Sequence, residues 1–177
     1  MFTFGDANVE TGNNNYINTT LKTNFYPFGR TYFGRPSGRV TDGRITSDFL
    51  ASYLHLPFLP PFLEPNANFS HGINFGSGGA GALAIADIGP NRGIPLDQQI
   101  RYFESVRNGS VWPYKEEDFS DALYYLQVGE VDYVELAIFS QQLPALRQMQ
   151  GPIRNAVIGA VEVRQSSNAV MPCFVYP

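Results

Sequence analysis

The sequence predicts an α/β fold in which a parallel sheet is covered by helices on both faces. Short apolar or β-prone runs occur at Phe2 to Phe4, Ile73 to Phe75 and Ala122 to Gly129, with the continuous hydrophobicity of strands buried on both sides. Segments with helical spacing separate them, which is the pattern of strand, crossover helix, strand. Each run also passes straight into a glycine-rich, asparagine-rich or acidic turn. In a parallel sheet those turns gather beyond the carboxyl ends of the strands, where ligands bind.

Taken in order, "FTF" is the first strand, and "GDANVETGNNNY" after it is a loop. The stretch "YPFGRTYFGRPSGRVTDGR" carries Gly29, Gly34, Gly38 and Gly43 with Pro27 and Pro36, so it reads as a run of turns. Thr41 or Asp42 is the expected cap of a helix in which Ile45, Phe49, Tyr53 and Leu54 recur at helical spacing and would face the sheet. "LPFLPPFLEP" is a proline-stiffened connection. "GINFGSGGAGAL" is a short strand entering a glycine-rich turn. A second amphipathic helix starts at Pro95 and places Leu96, Ile100 and Phe103 on one face. "ALYYLQVG" is a third buried strand ending at Gly129. Beyond Phe139 the signals weaken, and "GPIRNAVIGAVEVRQ" is compatible with a helix and "AVMPCFVYP" with a last strand. One domain over residues 1–177 is expected, with no internal repeat.

Composition narrows the function. A chain of 177 residues, 44% hydrophobic and 14% aromatic, is a folded globular sequence. Its 12 Lys and Arg against 16 Asp and Glu give a net charge of −4 with no basic run, which disfavours nucleic acid and anionic membrane surfaces as partners. The single cysteine, Cys173, and two separated histidines offer no zinc spacing, and no cofactor motif is present. The longest apolar stretch, around Leu54 to Leu63, is broken by His55 and prolines, so no membrane span is expected. No basic and apolar leader precedes the first strand. Sequons at Asn18, Asn68 and Asn108 point instead toward a secretory ancestry.

Three blocks carry a resemblance. "FTFGDANVETGNNNY" resembles the first signature block of the plant GDSL esterase/lipases, a branch of the SGNH hydrolases, where Gly-Asp-Ser is followed by a loop ending Asp-Thr-Gly-Asn-Asn. "GINFGSGGAGAL" is similar to their second block and "ALYYLQVGEVDYV" to their third, with its Gly-x-Asn-Asp pattern. The segment "FYPFGRTYFGRPSGRVTDGRITSDFLA" is similar to the one lying between their first two blocks. The match runs from Phe2 to about Val134. It implies a three-layer α/β/α flavodoxin-like fold, here C-terminally truncated, an ester or lipid ligand, and an extracellular setting.

The same resemblance assigns site positions. The nucleophilic serine falls on Ala7, the second-block oxyanion glycine on Gly78, and the third-block oxyanion asparagine on Val131. A terminal Asp-x-x-His supplies the base in that family, and none occurs in these 177 residues. A methyl group cannot attack a carbonyl, and a valine side chain offers no donor. The expectation is a family member without esterase chemistry. Two alternatives stand beside it: a protein-binding role for the inherited cleft or for an exposed tail with Val161, Val163, Val170, Met171 and Phe174, and a different chemistry using Asp6, Glu130 or Asp132. Asp6 is otherwise expected to accept backbone N–H groups in its own turn, and Glu130 and Asp132 to be solvated. His55 and His71 are expected to be structural. Tyr16, Phe25, Tyr26, Phe28, Tyr32 and Phe33 either line a pocket or anchor irregular backbone.

Overall fold

The computed structural model describes residues 1–83, 92–109, 112–134, 150–160 and 173–176. Four parallel strands form one sheet: β1 (Phe2–Gly5), β2 (Ile73–Asn74), β3 (Tyr124–Gln127) and β4 (Cys173–Tyr176), in the order β2-β1-β3-β4. Register is fixed by Phe2 opposite Ile73 on one side and Phe2 opposite Tyr124 on the other. The chain therefore reverses its winding direction at β1, and a crevice opens between the ends of β1 and β3.

Alternation along the strands builds two cores. Phe2 and Phe4 of β1, with Tyr124 and Leu126 of β3, share a buried cluster with Leu96, Ile100, Phe103 and Val106 of helix α2 (Leu96–Asn108). Phe103 meets Phe2 and Phe4 edge-on at 5.4 and 5.7 Å between ring centroids, a geometry the ring quadrupoles favour. Tyr125 turns to the opposite face, where it packs with Met1, Val9 and Leu59 against Leu50 of helix α1 (Thr46–Tyr53). Helix on sheet on helix is the three-layer arrangement expected. A short helix, α3 (Glu116–Ser120), adds Phe119 to the first core. Helical residues 150–160 cover the same face through Ile153 and Ala160, with Val157 half-buried beside them. The tail residues expected to be exposed, Val161, Val163, Val170, Met171 and the Phe174 side chain, lie outside the described residues.

Helix α1 departs from its sequence reading. Neither Thr41 nor Asp42 caps it: Thr41 Oγ1 accepts the Gly43 N–H at 3.2 Å, and Asp42 accepts the Thr31 hydroxyl at 2.5 Å. The start is held by Asp48, whose carboxylate accepts the Ile45 N–H at 3.0 Å. Phe49 and Tyr53, expected against the sheet, are 53% and 83% exposed, and the helix buries Ser47, Asp48 and Ala51 instead. The cause is Arg39. Its guanidinium is buried and forms a two-pronged bond to Asp48, at 2.7 Å for each prong, and this pair turns the polar side of α1 inward.

The carboxyl end of β1 needs a glycine. Gly5 has φ +133°, a region closed to L side chains, and a Cβ there would stand 1.7 Å from the Gln127 carbonyl oxygen. Gln99 clamps the same peptide: its Oε1 accepts the Gly5 N–H at 2.8 Å and its amide nitrogen donates to the Gly5 carbonyl at 2.9 Å. Gly5→Ala is expected to lose several kcal/mol of stability, on the order of 3 kcal/mol or more from strain and overpacking together. Urea unfolding of the purified variant checks this, and an unchanged midpoint would show that the turn adapts.

Candidate active-site cleft

Asp6, directly after β1, donates its N–H to the Gln127 carbonyl at 3.0 Å, so the loop that follows begins pinned to β3. Its Oδ1 accepts the Asn8 N–H at 3.1 Å, closing an Asx-type turn around Ala7. Burial pushes the Asp6 carboxyl pKa up, with the Glu130 carboxylate adding to the rise and the Asn8 N–H opposing it. Glu130 is exposed and accepts the Asn8 side-chain amide at 2.8 Å. Ala7 sits at the tip of this turn, half-buried.

The second loop brings Gly78 beside it. A Cβ on Gly78 would come within 3.7 Å of the Ala7 methyl, which places the two positions on one cleft. The Gly78 N–H, however, already has a partner. Glu10, fully buried, reaches across so that its Oε2 accepts that N–H at 2.5 Å while its Oε1 accepts the Asn14 N–H at 2.7 Å. Desolvation raises the Glu10 pKa to about 7, against the two N–H bonds, which favour the charged form. Asn14 completes the frame by donating to the Gly78 carbonyl at 2.9 Å and accepting from the Ser77 hydroxyl. Asn13 ties the loop to the β2 side through the Asn74 and Gly76 carbonyls, at 3.0 and 2.8 Å. Asn13 and Asn14 are thus structural struts.

On the third loop, Val131 lines a small recess with Gly79, Gly81, Arg92 and Asp132. Asp132 corrects an expectation. It is 2% exposed, not solvated, and its two oxygens accept the Ala82 and Leu83 N–H groups at 2.8 and 3.0 Å, so it staples the second loop to the third. His55 and His71 are both exposed, and among the described residues no hydrogen bond joins either imidazole to Asp6, Ala7 or Gly78. Among the described residues, no group of His, Cys, Asp and Glu side chains is placed to hold a metal, and no helix is long and apolar enough to cross a membrane. Of the aromatic set, Tyr16 and Phe33 line a separate cavity. Phe25, Tyr26 and Tyr32 are half-exposed.

The three loops at one sheet edge, in this order and around this cleft, match known sequences. The family model described as GDSL-like lipase/acylhydrolase covers residues 1–162. The chain belongs to this family. A GDSL lipase of Tanacetum cinerariifolium is 44% identical over 139 residues, and GDSL esterase/lipase 5 of Arabidopsis thaliana 43% identical over 154. GDSL esterase/lipase ENOD8 of Medicago truncatula is 37% identical over 147 residues. These alignments take in 75%, 81% and 75% of this chain but only 38%, 39% and 38% of the respective relatives. The chain spans well under half the length of the GDSL proteins it matches.

The Glu10 contact with Gly78 is the feature that sequence reasoning missed. Its signal was a Glu where the family block has Asp. One more methylene lengthens the side chain of Glu10, and it is this side chain that reaches Gly78.

Proposed function

We propose that this chain is a GDSL-family protein that has lost ester hydrolysis while keeping the frame of the cleft. Family membership sets the chemistry that a working site would perform: attack of a serine hydroxyl on an ester carbonyl, with N–H donors aimed at the developing oxyanion. The observation that carries the reading is the pairing at the cleft itself. A methyl group stands at position 7, and the neighbouring Gly78 N–H is bound by the carboxylate of Glu10. An oxyanion arriving there would have to displace the Glu10 carboxyl oxygen that already accepts this N–H. Val131 adds no donor at the third position.

Loss of one oxyanion donor alone typically lowers turnover by about 10²–10³. Loss of the nucleophile removes the covalent route altogether. The sequon asparagines Asn18, Asn68 and Asn108 are exposed, which supports a secretory setting for the protein. The protein-partner alternative depends mainly on tail residues outside those described.

The test is hydrolysis of p-nitrophenyl esters from acetate to laurate by the purified chain. The expected rate equals that of a heat-treated control. Turnover that co-purifies with the chain and disappears on mutating a cleft residue would overturn the proposal.

A further inference from the structure

A second cavity, of about 350 Å³, contains none of Ala7, Gly78 or Val131. Its walls come from the loop after β1, the turn around residues 33–39 and the proline-rich connection 58–64. Its size falls within the range of about 300–1,000 Å³ typical of small-molecule sites.

The walls are held rigidly. Phe33 and Phe58 pack edge to face at 5.9 Å, and the Arg39 guanidinium lies 4.6 Å from the Phe33 ring centre. Arg39 is fixed in turn by its buried pair with Asp48. One side of the cavity therefore presents aromatic rings, together with Tyr16 and with Pro36, Pro60 and Pro61.

The other side is polar and incomplete. Thr11 is 4% exposed, yet its hydroxyl has no hydrogen-bond partner, and Asn15 Oδ1 is also buried without one. Buried polar atoms are nearly always satisfied, because leaving one unpaired costs about 1–3 kcal/mol. Both atoms belong to residues that line this cavity.

Charge selects the ligand class. Asp48 neutralises Arg39, which leaves Arg35 and Glu64 as opposite charges in the lining. The site thus has no net field to select an anion or a cation. Burial and, after it, the Glu64 carboxylate push the Tyr16 phenol pKa up, so its O–H stays a donor.

We propose that this cavity binds a neutral saccharide of one or two rings. Aromatic faces accept the apolar C–H face of a sugar. A ring of hydroxyls can both donate and accept, which suits a threonine hydroxyl, an amide oxygen, a guanidinium and a carboxylate together. A purely apolar ligand would offer no hydrogen-bond partner to any of these groups. The inference does not depend on the inactivity proposed above.

Isothermal titration of the intact chain with cellobiose, maltose, xylobiose and N,N′-diacetylchitobiose tests it. At least one sugar is expected to bind saturably and one to one. Tyr16→Ala and Glu64→Gln should each weaken that binding about tenfold, roughly 1.4 kcal/mol, with unchanged circular dichroism and melting temperature. Ethyl butyrate should not compete. Absence of saturable binding to every sugar overturns the proposal. So does binding that both variants leave unchanged, or that ethyl butyrate displaces.

Discussion

Glu10→Ala is expected to destabilise the folded chain by about 2–6 kcal/mol, since it orphans two buried N–H donors at about 1–3 kcal/mol each. Those donors are the Asn14 and Gly78 backbone amides, which have the Glu10 carboxylate oxygens at 2.7 and 2.5 Å. Neither amide has another partner to which it can turn, since Asn14 and Gly78 are buried. The pH dependence gives a second readout. The folded Glu10 pKa is raised from 4.5 to about 7, so the native state holds a proton that the unfolded chain releases between those values. The contribution of this group to stability is therefore fully present below pH 4.5 and is lost as pH rises through about 7. At 1.36 kcal/mol per unit the full effect is on the order of 3 kcal/mol. Asp6, whose pKa is also raised, acts in the same direction. Urea unfolding at pH 5 and pH 8 should show the native chain losing stability across the interval, and Glu10→Gln losing much less. Equal slopes for the two proteins would mean that Glu10 is not the titrating group.

Asp48→Ala should be nearly as damaging, at about 3–5 kcal/mol, because it leaves the Arg39 guanidinium buried without its counter-charge. The arginine side chain is 7% exposed and the carboxylate 1%. The same carboxylate accepts the Ile45 N–H that starts α1, so the variant also loosens the helix entry. The double variant Arg39→Met with Asp48→Leu is expected to recover most of the loss, since two apolar side chains of similar volume need no pairing. Chemical denaturation of the wild type and the variants closes the cycle. A double variant as unstable as Asp48→Ala would place the damage in lost shape and not in the unpaired charge.

These two contacts also mark what sequence could and could not reveal. The strands were legible because a sheet buried on both faces favours short apolar or β-prone runs, and "FTF", "INF" and "YYL" supply them. Helix α2 was legible because Leu96, Ile100 and Phe103 share a stripe. Gln99 lies between them, and only the fold shows that it is buried and bonded to both backbone groups of Gly5. Helix α1 was misread: an aromatic stripe of Phe49 and Tyr53 outweighed Asp48, and only the fold shows that Arg39 meets Asp48 and draws the polar side inward. Asp132 was misread for a similar reason, since its two N–H partners lie about 50 residues earlier in the chain. The cleft positions Ala7, Gly78 and Val131 came from the family blocks alone. The Glu10 bond to Gly78 spans 68 positions, and no local pattern encodes it.

Fluorophosphonate labelling of Ala7→Ser tests the loss of the esterase site, since this probe reacts with a serine whose hydroxyl is activated. A serine at position 7 would face a Gly78 N–H already held by Glu10, and among the described residues no imidazole is bonded at this cleft to take its proton. No labelling above that of the unmodified chain is expected after prolonged exposure at neutral pH. Stoichiometric labelling at position 7 would contradict it, by showing that a base and a free oxyanion donor are both in place.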